Sequence, residues 1–251
     1  MLPQTSNDFT NGQYFTFGNE AYAPGCVATG LTLWLKANYG TNTTTTGQDV
    51  TSWLDASGNN NNHTKLSTSS LAISPDFKEN SGFNFNPGVK YDGGYNALGT
   101  QRFASGNDTL VMFAMTKSSS TSNWGAIYSF SRDATHPQWY AGRPSIYLSA
   151  GYDPYLTTPA NNLNIQYGIN TFNLKRGPLF NTSQDIWWNG AKTTYTGNGA
   201  YTYNATNFWM GNDVDDLGTA SSEMLNGEIM EMAVYKNAGM TDAKIQKIQS
   251  S

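Results

Sequence analysis

Charge and cysteine are what this sequence has least of. Charged residues make up 13% of its 251 residues, about half the ~25% of an ordinary globular chain. Cys26 is the single cysteine, which excludes an intrachain disulfide. Two histidines, His63 and His136, are too few for a multi-histidine metal site. The 14 basic residues are scattered, with no more than two together at Lys175-Arg176, against 18 acidic ones, for a net charge of −4. No basic stripe invites a nucleic acid, and no basic cluster suits an anionic membrane surface. No apolar run approaches the ~18 residues of a membrane-spanning helix, so membrane insertion by a helix is not expected. What replaces charge is Asn, Thr, Ser and Gly, together with aromatics at 14%. That mixture is the look of an extracellular or virion surface.

The pattern along the chain is that of strands. Short apolar or alternating runs at 31–36, 50–54, 83–85, 89–91, 110–117, 126–131, 145–150, 171–175, 185–189, 208–211 and 227–236 are separated by Gly, Asn and Pro. Such spacing predicts a sandwich, and nothing alternates strand with helix as a parallel α/β sheet would. Asn189-Gly190 after Trp188 marks a hairpin, since this pair satisfies the positive φ of a type I′ turn. One helix is expected over 241–249: Thr241 can cap it, Asp242 suits the N-terminal dipole, and Ile245 with Ile248 form an apolar stripe. Period-two alternation predicts that two sheets bury Trp34, Trp53, Leu110, Met112, Met232 and Val234 between them.

Several segments carry a resemblance. Gly30-Leu-Thr-Leu-Trp-Leu-Lys-Ala-Asn38 is followed by Val50-Thr-Ser-Trp-Leu-Asp-Ala-Ser-Gly-Asn59. Phe85-Asn-Pro-Gly-Val-Lys-Tyr-Asp-Gly93, Asp185-Ile-Trp-Trp-Asn-Gly-Ala-Lys192 and Gly227-Glu-Ile-Met-Glu-Met-Ala-Val-Tyr-Lys236 come later in that order, then Met240-Thr-Asp-Ala-Lys-Ile-Gln-Lys-Ile248. Together they resemble the laminin-G-like, concanavalin-A-like jelly-roll domains in large surface proteins of gliding, type IX-secreting bacteria. The resemblance implies an all-β antiparallel jelly-roll sandwich with a short C-terminal helix. Residues 26–251 would form that domain, and 1–25 an N-terminal extension or anchoring segment. It also implies a Ca²⁺ site, because such domains often hold the ion. The oxygen-rich candidates are Asp55 with Asn59, and Asp213, Asp215 and Asp216. All of these are also ordinary turn residues that bond their own backbone.

Catalysis finds little support. Sandwich glucanases line one cleft with paired carboxylates, and this chain has five glutamates in all: Glu20, Glu79, Glu223, Glu228 and Glu231. Glu228 and Glu231, three apart, belong on opposite faces of a regular strand. Neither histidine lies in a nucleophile motif. Recognition through aromatics fits better. Tyr152 and Tyr155 fall in an expected loop, and one of the adjacent Trp187 and Trp188 must face away from the core. Tyr152, Tyr155 and Trp188 are therefore the candidate ligand-binding residues.

The function expected is a non-enzymatic surface module, bacterial and extracellular, that binds a cell-surface glycan or a protein partner in adhesion. The alternative is a virion structural or receptor-binding protein of a bacteriophage, and a glycosidase-like enzyme is third. Met1-Leu-Pro-Gln-Thr-Ser lacks the features of a signal peptide. The chain thus reads either as an excised segment or as a protein that reaches the outside by assembly and lysis. Multimers, or membership of a larger assembly, suit either setting.

Overall fold

The structure, a computed structural model, describes residues 23–65, 73–81, 85–94, 96–104, 109–118, 125–131, 139–143, 167–174, 181–188, 190–198, 206–215 and 219–250. These residues form an antiparallel all-β sandwich with one C-terminal helix. The larger sheet has eight strands. Seven run in the order β12 (Ala191–Asn198), β11 (Asn181–Trp188), β10 (Tyr167–Leu174), β7 (Leu110–Ser118), β16 (Asn226–Lys236), β5 (Gly88–Asp92) and β4 (Asp76–Lys78). The eighth, β1 (Leu31–Lys36), pairs with the second half of β16, while β5 takes the first half of the same edge. The smaller sheet runs β2 (Ser52–Trp53), β3 (His63–Lys65), β6 (Leu98–Ala104), β13 (Thr206–Met210), β8 (Gly125–Ser131) and β9 (Trp139–Arg143). A separate ribbon pairs β14 (Asn212–Asp215) with β15 (Thr219–Met224).

Alternation decides what each strand buries. Leu33 and Leu35 of β1, Met112 and Ala114 of β7, and Met232 and Val234 of β16 face the smaller sheet. There they meet Trp53, Phe103, Tyr128, Phe208 and Met210. Each of these Leu, Met and Val side chains contributes about 1.5–3 kcal/mol by leaving water. Where β13 turns into β14, Gly211 has φ +86°, and a Cβ there would lie 1.9 Å from the ring of Tyr91 across the sandwich. No side chain fits.

Trp34 corrects the expected core. It is buried, but on the outer face of the larger sheet, with Val111, Phe113, Trp187, Ala233 and Tyr235. The helix α1 (Asp242–Gln249) lays Ile245 and Ile248 on this layer, beside a 3-10 turn at Pro24–Cys26. Thr241 caps the helix, its side chain accepting from the Lys244 N–H. Trp34 shares its strand face with Lys36, opposite to Leu33 and Leu35. The two-sheet interior therefore could not hold it, and the helix covers it instead.

Other expectations shift less. The strand expected over 50–54 is paired only at Ser52–Trp53, with Val50 buried and Leu54 exposed. The short strands β3 and β4, and the longer β6, β9, β12, β14 and β15, were not anticipated. The hairpin is present: Trp188 pairs with Ala191, and Gly190 has φ +84°. The run at 145–150, and most of 83–85, lie outside the described residues. No helix among the described residues is long and apolar enough to cross a membrane.

Candidate functional site

Two constellations stand out, and they share strand β1. The first is the Asp55 loop. One edge of β1 pairs with β16, and among the described residues the other edge has no strand beside it. Loop 55–62 takes that place with single groups. Asp55 Oδ1 accepts the Trp34 N–H at 2.9 Å and the Ser57 N–H at 2.8 Å. Asp55 Oδ2 accepts the Ser57 hydroxyl at 2.8 Å and the Asn61 N–H at 3.0 Å. The Ala56 N–H donates to the Trp34 carbonyl, Asn59 Nδ2 to the Leu31 carbonyl, and Asn61 Nδ2 to the Thr32 carbonyl. The Asp-Ala-Ser-Gly-Asn run thus stands in for a neighbouring strand and satisfies backbone groups that an edge would leave open. Asn60 at φ +58° and Gly58 at φ +84° give the loop its curl.

The second constellation lies on the outer face of the larger sheet. A register shift between Ile229 and Glu231 inserts a bulge opposite β7. Ile229 and Met232 both point into the core, so Glu228 and Glu231 emerge on the same outer face. This overturns the expectation that they oppose each other, because a bulge adds one residue to the alternation. They are nonetheless separate groups. Glu228 is buried beside Gly88 and pairs with Lys78 Nζ at 2.7 Å. Its Oε2 is buried and accepts no hydrogen bond from the described residues. Glu231 is half-buried and accepts the indole N–H of Trp34 through Oε1.

Lys36, cross-strand partner of Glu231, holds its ammonium 4.2 Å from the centroid of the Trp34 ring and 5.5 Å from that of Tyr39. Burial draws the Lys36 ammonium down to about 8, against the pull of Glu231. Burial likewise raises the Glu231 carboxyl, opposed by the Trp34 hydrogen bond and the charge of Lys36. At the far edge of this face, Asp185 is buried, accepts the Thr194 hydroxyl at 2.6 Å and lies 3.2 Å from Lys192 Nζ. Lys192 also meets Asp242 at the start of the helix.

The sequence-derived candidates scatter. Tyr152, Tyr155 and Asp216 lie outside the described residues, as does His136. Trp188 is the last residue of β11, and its side chain is outside the described set, whereas Trp187 is buried beneath the helix layer. Asp213 and Asp215 lie on β14. Asp55 and Asn59 share the loop above, where four donors already face the Asp55 oxygens and Asn59 turns its amide N–H toward Leu31. Among the described residues, no group of three or more His, Cys, Asp or Glu side chains could hold a metal. His63 is fully buried in the core. Tyr39, Lys36, Leu54 and Glu231 were not singled out as site residues from the sequence. The signal was there for Lys36, two residues after Trp34 and hence on its face. None exists for Glu231, whose placement depends on the bulge.

No protein-family model matches the sequence, and no curated protein matches it. Solved structures do. Domain 4 of the GH43 extracellular arabinanase of Geobacillus stearothermophilus, solved with arabinotriose, superposes with a TM-score of 0.61 at 14% identity, over 88% of this chain and 98% of that one. A structure of botulinum neurotoxin type C, solved in work on cell entry through two ganglioside molecules, gives 0.53 at 14% identity over 88% of this chain. A mutant Trypanosoma rangeli sialidase displaying trans-sialidase activity gives 0.53 at 12% identity, also over 88%. This chain spans about half of the toxin chain (51%) and a third of the sialidase chain (33%). Likeness at these identities establishes a shared β-sandwich fold.

Proposed function

We propose that the chain is a non-enzymatic recognition module for glycans, built as a jelly roll of the concanavalin-A/laminin-G type. The observation that carries this reading is the match, over nearly the whole of that domain, to one solved with an oligosaccharide bound. Two features of the chain support it. The glutamates that share a sheet face are committed elsewhere, Glu228 to Lys78 and Glu231 to Trp34, so they do not form an acid and base across a cleft. Sparse charge also leaves aromatic rings, amides and hydroxyls as the main means of contact. The setting we propose is adhesion at a bacterial surface, or the surface of a virion, where many copies turn weak sites into strong attachment.

A glycan array with the purified chain tests the module. Binding is expected, and it should change little between low and physiological salt, because long-range charge contributes little. A chain that retains no glycan, or whose binding collapses over that salt range, would overturn the reading. The combined Tyr152→Ala, Tyr155→Ala and Trp188→Ala variant decides whether the loops form the contact: undiminished binding removes them from it.

Calcium belongs to the same proposal. A cation at Asp55 and Asn59 would have to displace hydrogen-bond donors from the Asp55 oxygens; Asp213, Asp215 and Asp216 are the other set we propose. A bound ion raises stability by RT ln(1 + [L]/Kd), about 2.7 kcal/mol at a hundredfold excess over Kd. Melting should therefore fall with EGTA and recover with calcium. Superimposable melting curves and no metal by mass spectrometry would confine these residues to turn chemistry.

A further inference from the structure

We propose that Tyr39, with Leu54 beside it and Glu231 and Lys36 beneath, forms a subsite for a neutral sugar ring at the β1 end of the sandwich. This rests on the glycan-binding reading above and names residues for it. Four large apolar side chains are exposed among the described residues: Tyr39, Leu54, Ile73 and Phe85. Tyr39, 52% exposed, and Leu54, 47% exposed, belong to adjoining backbones, since the Leu54 N–H donates to the Gly40 carbonyl at 2.9 Å. The Lys36 ammonium lies 5.5 Å from the centroid of the Tyr39 ring, and Lys36 is the cross-strand partner of Glu231.

The platform is rigid. The Tyr39 N–H donates to the Lys36 carbonyl at 2.8 Å, and the same carbonyl accepts the Trp53 indole N–H at 2.9 Å. Gly40, at φ +79°, brings the turn so close to Leu54 that a Cβ would lie 2.7 Å from the Leu54 Cβ. A ring held in water by a tight, core-anchored turn loses little freedom on binding. Packing gives no reason for its exposure.

The chemistry beneath the ring selects the ligand. A sugar has an apolar C–H face, which suits an aromatic ring, and hydroxyls, which need acceptors and donors. Glu231, half-buried as a residue, spends Oε1 on the Trp34 indole N–H. Its Oε2 is the acceptor that the subsite offers to a sugar hydroxyl. Lys36 offsets its charge, so the corner is close to neutral. An anionic sugar would meet a carboxylate without a surplus cation, which favours a neutral aldose unit.

The test uses the full chain, with neutral trisaccharides of glucose, xylose and arabinose and any glycan retained on the array. Affinity is measured by calorimetry, and the Trp34 indole N–H resonance is followed by NMR. Tyr39→Ala is expected to weaken binding at least about tenfold, as loss of a central aromatic anchor does. Tyr39→Phe, which keeps the ring, should stay within about twofold of the parent. Saturating sugar should shift the Trp34 indole resonance, because that proton is shared with Glu231. Tyr39→Ala should melt with the parent, since the residue is exposed. A Tyr39→Ala variant that binds as tightly as the parent, or an unmoved Trp34 resonance at saturation, would overturn the subsite and leave the module reading standing. A parent that binds no glycan at all would overturn both.

Discussion

Replacing Trp53 with alanine is expected to lower the free energy of unfolding by about 3–5 kcal/mol, the range for deleting a large buried aromatic. For a chain of this size that corresponds to a melting shift on the order of 10 °C. Trp53 has no exposed surface and lies in the core between the two sheets. It also ties the layers together. Its indole N–H donates to the Lys36 carbonyl at the end of β1, while its backbone pairs with His63 in β3 and bridges to Thr41. The alanine variant therefore loses volume, leaves a cavity with little freedom to collapse, and removes the donor from a carbonyl that anchors the Tyr39 turn. Trp53→Phe, which keeps most of the volume but not the donor, should fall between. Equilibrium urea denaturation measures all three. An alanine variant that melts within a degree or two of the parent would take Trp53 out of the core.

Strand β1 shows how far local pattern reaches. Its bounds are those expected from the alternation of Leu31 to Lys36, and α1 starts one residue after its cap, Thr241, where capping chemistry places it. The Trp-x-Asp-x-Ser-Gly-Asn run was recognisable as a motif. Its physical task, closing the open edge of β1 with side chains, needed the partner strand to be located. The same holds for Trp34: each face of β1 carries a large apolar side chain, and only the position of the helix tells which cover each face receives. Sheet edges such as β4 and β9 carry weak signals, because half-exposed short strands need little apolar patterning. The bulge near Met230 is set by register against β7 and has no local signature, so the shared face of Glu228 and Glu231 was beyond the sequence. Tyr39 was passed over because an aromatic in a turn looks like any other until its exposure is known.

Acid should destabilise the fold through His63. Its imidazole is fully buried, with Nδ1 3.1 Å from the Asn61 carbonyl and its ring edge-on to Phe208. Nε2 has no partner. The neutral tautomer with a proton on Nδ1 fits this site, and a second proton on Nε2 would enter an apolar core. Burial accordingly depresses His63 from the ordinary 6.5 to about 4, although the Asn61 carbonyl and the charge of Asp55 pull the other way. The sign follows from linkage. Above pH 6.5 both folded and unfolded chains hold His63 neutral, and its contribution is constant. Between pH 6.5 and about 4 the unfolded chain binds a proton that the folded chain refuses, so stability falls by up to about 1.4 kcal/mol per pH unit, about 3 kcal/mol in all. Below about pH 4 both states are protonated and this loss stops. His63→Phe retains an aromatic against Phe208 and removes the titration. It leaves the Asn61 carbonyl without that donor at every pH, so the variant starts lower but should lose less between pH 6.5 and 5. Parallel stability profiles for parent and variant across that window would mean that His63 takes its proton without leaving the native state.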